Sequence, residues 1–264
     1  MKVALIQMNA GPDKEKNLRK AFFFIEKAIE NKAQFILLPE VFNYRGGRSR
    51  DLILQAAEPV KGESAKPFLD LAKQNQIYLL LGSIIEKAVR AKRVYNTSVL
   101  INPRGEIESL YRKIHLFEAQ FKKNFLDESK IFLPGEKLGL GRVFNFCLGM
   151  AVCYDLRFPE FFRRYARQGA ELLSVPSVFT ETTGRAHWEI LVRARAIEGL
   201  CYCLAPNQVG KDLKGIKAYG HSLVVGPWGE ILAQGSGNEE EIVYAALEKK
   251  EIEKRRKILP GVLP

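Results

Sequence analysis

Three side chains that could cooperate in acyl transfer lie at the ends of apolar, strand-like stretches. Glu40 follows the apolar run of "ILLPE", Lys113 lies just past another strand in "LYRKIHLF", and Cys153 ends the strand predicted for "GMAVC". Side chains just beyond the carboxyl ends of strands in an α/β sheet converge on one crevice. The sequence therefore predicts a thiol, a carboxylate and an ammonium in a common pocket.

These groups suit a covalent hydrolysis. A cysteine attacks as a thiolate, so either its ordinary pKa of about 8.5 must fall or a nearby base must take the proton. Glu40 is a candidate for that base. Lys113 favours the anionic sulfur and offers an N–H to a tetrahedral oxyanion, where one such donor contributes about 3–4 kcal/mol. Cys153 precedes a predicted helix, and the backbone N–H of Tyr154 can complete the oxyanion hole.

Each of the three residues also has an ordinary structural interpretation. A cysteine at a strand end is most often a core thiol. Glu40 after a proline is equally a loop carboxylate, and Lys113 beside Arg112 is equally an exposed base. Taken singly, none of them indicates catalysis, so the surrounding elements and motifs must decide.

The elements that position these residues alternate between strands and helices. Short apolar runs bounded by Gly and Pro predict buried strands, and apolar residues at helical spacing predict amphipathic helices. The first cycle is predicted as a strand at 2–8, a helix at about 13–32, a strand ending before Pro39, a helix at 64–76, a strand at 77–86 and a hairpin at 96–111. The second is predicted as a strand at 148–154, a helix at 158–170, a strand at 170–177, a long helix at 184–200, a strand at 201–209, a hairpin at 220–234 and a strand at 240–248.

Both cycles have the form strand–helix–strand, which predicts two sheets related by an approximate internal symmetry. No linker, low-complexity segment or charge block divides the chain. We therefore expect residues 1–264 to form one α/β domain.

Composition excludes several classes of protein. The 264 residues are 47% hydrophobic and 27% charged, as in ordinary globular proteins. No apolar run approaches the roughly 18–20 residues of a membrane span, and the N-terminus predicts a strand rather than a signal peptide, so a cytoplasmic location is expected. The net charge is +11, but the lysines and arginines are spread along the chain and interleaved with acidic residues. This pattern favours a solvated basic surface over a nucleic-acid site.

The four cysteines do not indicate a disulfide framework or a metal site. Cys201 and Cys203 lack the two-residue spacer of zinc and redox motifs, and with Cys147 they are predicted to be buried thiols. A papain-like pairing of Cys153 with one of the histidines, His115, His187 or His221, is an alternative. The "CGSCW"-type sequence around the nucleophile of such enzymes is absent. His115 and His187 are instead predicted to form structural hydrogen bonds.

Five ordered segments carry a family resemblance: "LLPE" (37–40), "YRKIHLF" (111–117), "CYDLRFPE" (153–160), "FTETTGRAHWEILVRARAIE" (179–198) and "GHSLVVGPWGEIL" (220–232). In this combination the chain resembles the nitrilase superfamily of carbon–nitrogen hydrolases over nearly its full length. The resemblance implies a four-layer α-β-β-α sandwich, usually paired into at least a homodimer. It implies no metal and no organic cofactor.

The resemblance also implies roles for individual residues: Glu40 as general base, Lys113 as oxyanion stabiliser and Cys153 as nucleophile. Members often carry a second glutamate that positions the lysine and the substrate, and "DESKIFLPG" places Glu128 at the matching position. The preceding segment "EAQFKKNFLDES" departs from the common pattern and is one residue shorter, so Glu118 remains an alternative.

The segment at 179–198 most resembles the amidase branch that acts on deaminated glutathione, close to the omega-amidases. Both kinds of substrate carry carboxylates, which a cationic side chain binds through charge-assisted hydrogen bonds. Arg185 is the predicted cation, with Tyr44, Arg45 and Phe179 as predicted pocket walls. N-carbamoyl hydrolysis is an alternative activity, and a true nitrilase is disfavoured by the sequence around Cys153. A catalytically silent scaffold or a polyanion-binding protein is the non-enzymatic alternative, although no member of the triad is missing.

Overall fold

The computed structural model of the chain describes residues 1–46, 49–89, 92–121 and 124–261. Its strands are β1 (Lys2–Gln7), β2 (Phe35–Leu37), β3 (Tyr78–Lys87), β4 (Val94–Ile101), β5 (Ile107–Arg112), β6 (Glu118–Phe121), β7 (Asn124–Asp127), β8 (Gly139–Val143), β9 (Phe146–Met150), β10 (Leu172–Ser174), β11 (Tyr202–Ala205), β12 (Leu223–Val225), β13 (Ile231–Gln234) and β14 (Glu241–Ala246). Its helices are α1 (Lys14–Glu30), α2 (Arg50–Ala56), α3 (Lys66–Asn75), α4 (Pro159–Arg167), α5 (Glu181–Gly199) and α6 (Lys249–Ile258).

The strands form two six-stranded sheets with the same topology. The strand orders are β14-β1-β2-β3-β4-β5 and β8-β9-β10-β11-β12-β13, and β6 pairs with β7 in a separate hairpin. In each sheet three successive strands are parallel, two antiparallel strands follow on one side, and one antiparallel strand flanks the other side. The predicted internal symmetry is confirmed by this repeat.

Alternating side chains of the first sheet face two different cores. On β1, Val3 and Leu5 pack in the core that also contains the second sheet, whereas Ala4 and Ile6 pack with the helices on the outer face. This period of two is the ordinary consequence of strand geometry. Helix α1 begins after Asp13, whose side chain accepts a hydrogen bond from the N–H of Lys16.

Helices cover the outside of the second sheet in the same way. Trp188, Val192 and Ala196 of α5 are buried in the core that contains β9, β10 and β11, together with Phe161 and Tyr165 of α4. The two sheets therefore lie face to face, with helices outside each of them. The predicted four-layer α-β-β-α sandwich is confirmed.

Several predicted boundaries need correction. The strand predicted at 148–154 ends at Met150, so Cys153 lies beyond it. The helix predicted to begin at Gly184 begins at Glu181, because Thr180 caps it by accepting a hydrogen bond from the N–H of Thr183. The sequence patterns did not predict α2, the β6–β7 hairpin, β8 or α6. No helix within the described ranges combines the length and hydropathy that crossing a bilayer requires.

Candidate active site

Cys153 is presented on a tight turn that follows β9. The turn begins where Asp155 accepts a hydrogen bond from the N–H of Val152 at 2.8 Å, and residues 153–157 form a short 3-10 helix. Cys153 has a φ of 48°, in the left-handed region that residues other than glycine seldom adopt. Its N–H donates to the carbonyl of Pro176 at 3.0 Å, which holds this unfavourable backbone in place.

Glu40 is held on a second turn, which follows β2. The turn packs closely on β3 because Gly82 has no side chain: a Cβ there would lie 2.1 Å from the carbonyl oxygen of Pro39. From the second half of the chain, the side chain of Gln208 donates to the carbonyl of Glu40 at 2.7 Å. The neighbouring Val41 has a φ of 46°, so this turn also contains an unfavourable backbone conformation.

Lys113 lies directly after β5 and forms two ion pairs. Its Nζ is 2.9 Å from Oε1 of Glu40 and 3.0 Å from Oε2 of Glu128, and the side chain is only 1% exposed. Burial by itself lowers the pKa of Lys113, but the charges of Glu128 and Glu40 outweigh it and leave the pKa well above its ordinary value. Lys113 is therefore an ammonium at neutral pH.

The Cys153 thiol lines the same cavity as Glu40 and Lys113, and the charges of both groups act on it. Burial, followed by the charge of Glu40, raises the pKa of the thiol well above its ordinary value, although Lys113 opposes this effect. At neutral pH the Cys153 thiol therefore carries its proton, and Glu40, on the wall of the same cavity, is a candidate to accept it.

Two donors are available for an oxyanion near Cys153. One is the ammonium of Lys113. The other is the backbone N–H of Tyr154, in the first turn of the 3-10 helix, for which no acceptor occurs among the described residues. The phenol of Tyr154 points elsewhere and donates to the carbonyl of Glu118 at 3.3 Å.

Of the two candidate second glutamates, only Glu128 contacts Lys113. Its Oε2 also accepts a hydrogen bond from the N–H of Phe117 at 2.8 Å, so the carboxylate is fixed from two sides. Glu118 is exposed at the start of β6 and does not line the cavity described next.

A cavity of about 720 Å³ joins these groups. Glu40, Lys113, Glu128, Cys153 and Tyr154 all line it, as do three of the four predicted substrate-binding residues, Tyr44, Arg45 and Phe179.

Arg185 does not offer the cationic site that the sequence predicted, whereas Arg45 lines the cavity as one of the predicted walls. The guanidinium of Arg45 donates to the carbonyl of Ile216 at 3.1 Å and to the side chain of Asn9 at 3.2 Å, so it holds the loop that forms one wall. Arg185 does not line the cavity. Its side chain is 72% exposed and pairs with Glu181 at 3.0 Å, one turn earlier on α5, so it faces solvent.

Arg157 is a cation of the cavity that the sequence analysis missed. Its guanidinium lies over the rings of Phe179, at 5.3 Å, and Tyr154, at 5.7 Å. It contacts His187 at 3.2 Å and pairs with no carboxylate among the residues the structure describes. The available signal was its place in "CYDLRFPE", four residues after Cys153. Asn96 and Val178, which contact Glu40, were also missed.

The histidines have structural contacts. Nδ1 of His115 is 2.7 Å from Asp155, and its ring stacks on Phe158. No histidine lines the cavity with Cys153, so the described residues do not support a papain-like pair. In the ranges that the structure covers, no group of three His, Cys, Asp or Glu side chains is arranged to hold a metal ion.

Comparison with known protein families gives one match that spans nearly the whole chain. The family model described as carbon-nitrogen hydrolase matches residues 2–257. Among similar proteins, human omega-amidase NIT2 is 38% identical over 260 residues, covering 98% of this chain and 92% of that protein. A deaminated glutathione amidase of Dictyostelium discoideum is 37% identical over 268 residues, covering 98% and 91%.

Solved structures resemble the whole sandwich. Nit3 of Saccharomyces cerevisiae, a member of branch 10 of the nitrilase superfamily, aligns with a TM-score of 0.88 at 34% identity, covering 99% of this chain and 94% of that chain. A mutant of the amidase from Nesterenkonia sp. AN1, whose structure shows the result of Michael addition of acrylamide at the active-site cysteine, aligns with a TM-score of 0.81 at 28% identity, covering 98% of each chain.

Proposed function

The chain belongs to the carbon–nitrogen hydrolase family, and we propose that it is an amidase that releases ammonia from a small, carboxylate-bearing amide through a thioester on Cys153. Its family and its amidase relatives make it an enzyme that acts on non-peptide C–N bonds. The observation that supports the finer proposal is that Glu40 pairs with Lys113 at 2.9 Å and that both line one cavity with Cys153.

The first half of the proposed reaction forms the thioester. Because the thiol is protonated at rest, its proton passes to Glu40 as the sulfur attacks the amide carbonyl carbon. The carbonyl oxygen becomes an oxyanion, which the ammonium of Lys113 and the N–H of Tyr154 stabilise. The C–N bond then breaks, Glu40 returns the proton to nitrogen, and ammonia leaves.

The second half regenerates the enzyme. Glu40, again a carboxylate, takes a proton from water as the water oxygen attacks the thioester carbonyl. The same two donors hold the second oxyanion. When the C–S bond breaks, the sulfur takes this proton back from Glu40, and the carboxylic acid product leaves. Glu128 keeps Lys113 charged and in place throughout.

Charge and cavity size support the choice of substrate. Arg157 has no carboxylate partner among the described residues, so it can bind a substrate carboxylate without breaking an existing ion pair. A cavity of about 720 Å³ lies within the range of sites that take drug-sized ligands, about 300–1,000 Å³. A deaminated-glutathione-type substrate, which extends well beyond its amide, is therefore the first candidate. A 2-oxoglutaramate-type omega-amide, which carries the same reacting end, is the second.

The decisive experiment measures ammonia release from deaminated glutathione, 2-oxoglutaramate, an N-carbamoyl amine and a simple nitrile, side by side. We expect turnover of the two carboxylate-bearing amides and complete loss of it in Cys153→Ala. Cys147→Ala is the matched control, because this partly exposed thiol lies outside the cavity, and it should keep full activity.

Three results would contradict the proposal. Undiminished ammonia release by Cys153→Ala would exclude the thioester. A preference for the N-carbamoyl amine or the nitrile would exclude the substrate class. Salt-dependent binding to a polyanion without any amide turnover would favour the non-enzymatic alternative.

We also propose a cytoplasmic location, because a nucleophilic thiol and the three other free cysteines suit a reducing compartment. Cell fractionation tests this proposal, and recovery of the protein in an oxidising compartment would contradict it.

A further inference from the structure

The hydrogen bonds around Glu40 distinguish its two carboxylate oxygens. Oε1 accepts from Nδ2 of Asn96 at 2.9 Å and from Nζ of Lys113 at 2.9 Å, whereas Oε2 accepts from the backbone N–H of Val178 at 2.9 Å. A carboxylate has about four lone-pair sites, two on each oxygen. Both sites of Oε1 are occupied, and the one that remains belongs to Oε2.

The backbone of Val178 links this second oxygen with the Cys153 thiol. Its N–H donates to Oε2 at 2.9 Å and also lowers the pKa of the thiol, and Val178, Glu40 and Cys153 line one cavity. A proton that leaves the thiol can therefore reach an unoccupied site on Oε2 without displacing Asn96 or Lys113.

Asn96 is built into the site as a donor. It lies on β4, is 2% exposed and lines the cavity, and its backbone carbonyl accepts the N–H of Lys113 at 2.9 Å. Because a carboxylate can only accept, the NH₂ group must face Glu40. Its Oδ1 is then buried, without a partner among the described residues. Such an atom costs about 1–3 kcal/mol, so packing alone does not explain the choice of an amide here.

We propose that Asn96 is a positioning residue which, with Lys113, occupies Oε1 of Glu40 and thereby makes Oε2 the oxygen that takes the thiol proton. The S–H bond breaks as an O–H bond forms on Oε2. That O–H bond later breaks as the departing nitrogen gains the proton. This inference rests on the function proposed above and adds which atom carries the proton.

The charged and titratable groups around Glu40 set what a substitution should do. They are the ammonium of Lys113 and the thiol of Cys153, with Glu128 on the far side of Lys113. In Asn96→Asp a carboxylate of the same shape replaces the donor to Oε1. Repulsion from it, together with the lost hydrogen bond, should favour the protonated form of Glu40.

The test is the pH dependence of kcat/KM for amide hydrolysis, whose acidic limb reports the base of the free enzyme. We expect Asn96→Asp to move that limb upward by about one pH unit or more, which reduces kcat/KM about tenfold at pH values below the wild-type limb. Asn96→Leu, which removes the donor without adding charge, should move it in the same direction by less. KM should change little in both variants.

Asn102→Asp is the matched control. Asn102 is also buried, follows the end of the same strand, and donates through Nδ2 to the carboxylates of Glu106 and Glu108, but it does not line the cavity. A purely structural role of Asn96 would lower activity and stability without moving the limb. Coincident profiles for Asn96→Asp and the wild type, or an equal displacement in Asn102→Asp, would overturn the proposal.

A substrate-free measurement separates this inference from the proposed function. The rate at which iodoacetamide alkylates Cys153 can be measured as a function of pH without any amide turnover. Peptide mass spectrometry distinguishes alkylation of Cys153 from that of the partly exposed Cys147. We expect the same upward displacement of its acidic limb in Asn96→Asp. If the protein hydrolyses no amide yet shows this displacement, the function fails and the positioning role stands. An unmoved alkylation profile ends the positioning role whatever the activity.

Discussion

At the scale of single residues, the guanidinium of Arg157 is the group expected to choose acidic substrates. A hydrogen bond to a charged partner contributes about 1.5–3 kcal/mol, so Arg157→Met should lower kcat/KM for 2-oxoglutaramate about 10- to 100-fold. Arg185→Met is the matched control, because that side chain is 72% exposed and its pair with Glu181 lies outside the cavity. Steady-state kinetics of both variants measure the difference.

The same two variants should also be assayed with an amide that has no carboxylate. Arg157→Met should lose little activity toward this neutral amide, since the lost contact is specific for an anion. Equal effects on acidic and neutral amides, or a loss in Arg185→Met as large as that in Arg157→Met, would exclude carboxylate recognition by Arg157.

The buried thiols predict how stability depends on alkaline pH. Burial raises the pKa of Cys201 to about 12, and it also raises the pKa values of Cys153 and Cys203 well above the ordinary value. In the unfolded chain these thiols ionise near pH 8.5. The contribution of these buried, neutral thiols to the free energy of unfolding is therefore fully present below about pH 8.5. As the pH rises above that value the contribution is lost, at up to about 1.4 kcal/mol per pH unit for each thiol.

Urea unfolding between pH 7.5 and 10, under reducing conditions, measures this slope. The free energy of unfolding of Cys201→Ala should decline less steeply with pH than that of the wild type, whatever the absolute stability of the variant. The control is Cys147→Ala, because Cys147 is the more exposed thiol and should affect the slope less. Identical slopes in the wild type and Cys201→Ala would contradict the prediction.

The sequence located Glu40, Lys113 and Cys153 because each belongs to a short string with a definite place after a strand. For the substrate-binding cation it indicated Arg185 and missed Arg157, although both lie in such strings. The choice depends on where a helix begins and which side faces the cavity: α5 begins three residues before the predicted start, so Arg185 lies one turn inside it and pairs with Glu181. Side-chain direction of this kind is a property of the fold.

At the scale of elements, the close contact between β3 and the turn of Glu40 is set by Gly82. In Gly82→Ala the new Cβ would lie 2.1 Å from the carbonyl oxygens of Leu38 and Pro39, so the turn must move away from the strand. We expect activity to fall at least 100-fold, since a displacement of about 1 Å in a catalytic group can cost that much. We also expect a loss of about 1–3 kcal/mol in the free energy of unfolding.

Gly11→Ala provides the comparison for this variant. A Cβ at Gly11 meets no atom within 4 Å, so activity and stability should stay close to those of the wild type. Amide turnover and urea unfolding of both variants are the measurements. Wild-type turnover in Gly82→Ala would show that the turn does not depend on this contact.

Element type was predictable from periodicity, but some boundaries were not. The apolar run of β9 continues beyond Met150, and the chain turns aside before Cys153 where the N–H of Val152 donates to Asp155. Helix α6 is so rich in charge that its sequence indicated a solvated surface, and Ile252 is its one buried residue. Such elements form because of tertiary contacts that local pattern does not encode.

At the scale of the whole molecule, the site is assembled from both repeats of the sandwich. Glu40 and Lys113 follow strands of the first sheet, whereas Cys153 and Val178 follow strands of the second. Gln208, beyond β11, donates to the carbonyl of Glu40 and so connects the halves across 168 positions of sequence. Neither repeat alone contains all the groups of the proposed mechanism, so that mechanism requires the complete face-to-face packing.

The outer face of α5 predicts how the chain associates. Ile190 is 69% exposed and Ile197, two turns later, is 47% exposed, with the 44% exposed Trp228 on a neighbouring turn. Contiguous exposed apolar side chains mark interaction sites, so we expect a homodimer through α5. The double variant Ile190→Glu/Ile197→Glu should be a monomer by size-exclusion chromatography with light scattering. Phe23→Glu, on the exposed face of α1 and 54% exposed, should leave the mass of the dimer unchanged. A wild-type monomer, or a double variant that keeps the dimer mass, would exclude this face as the interface.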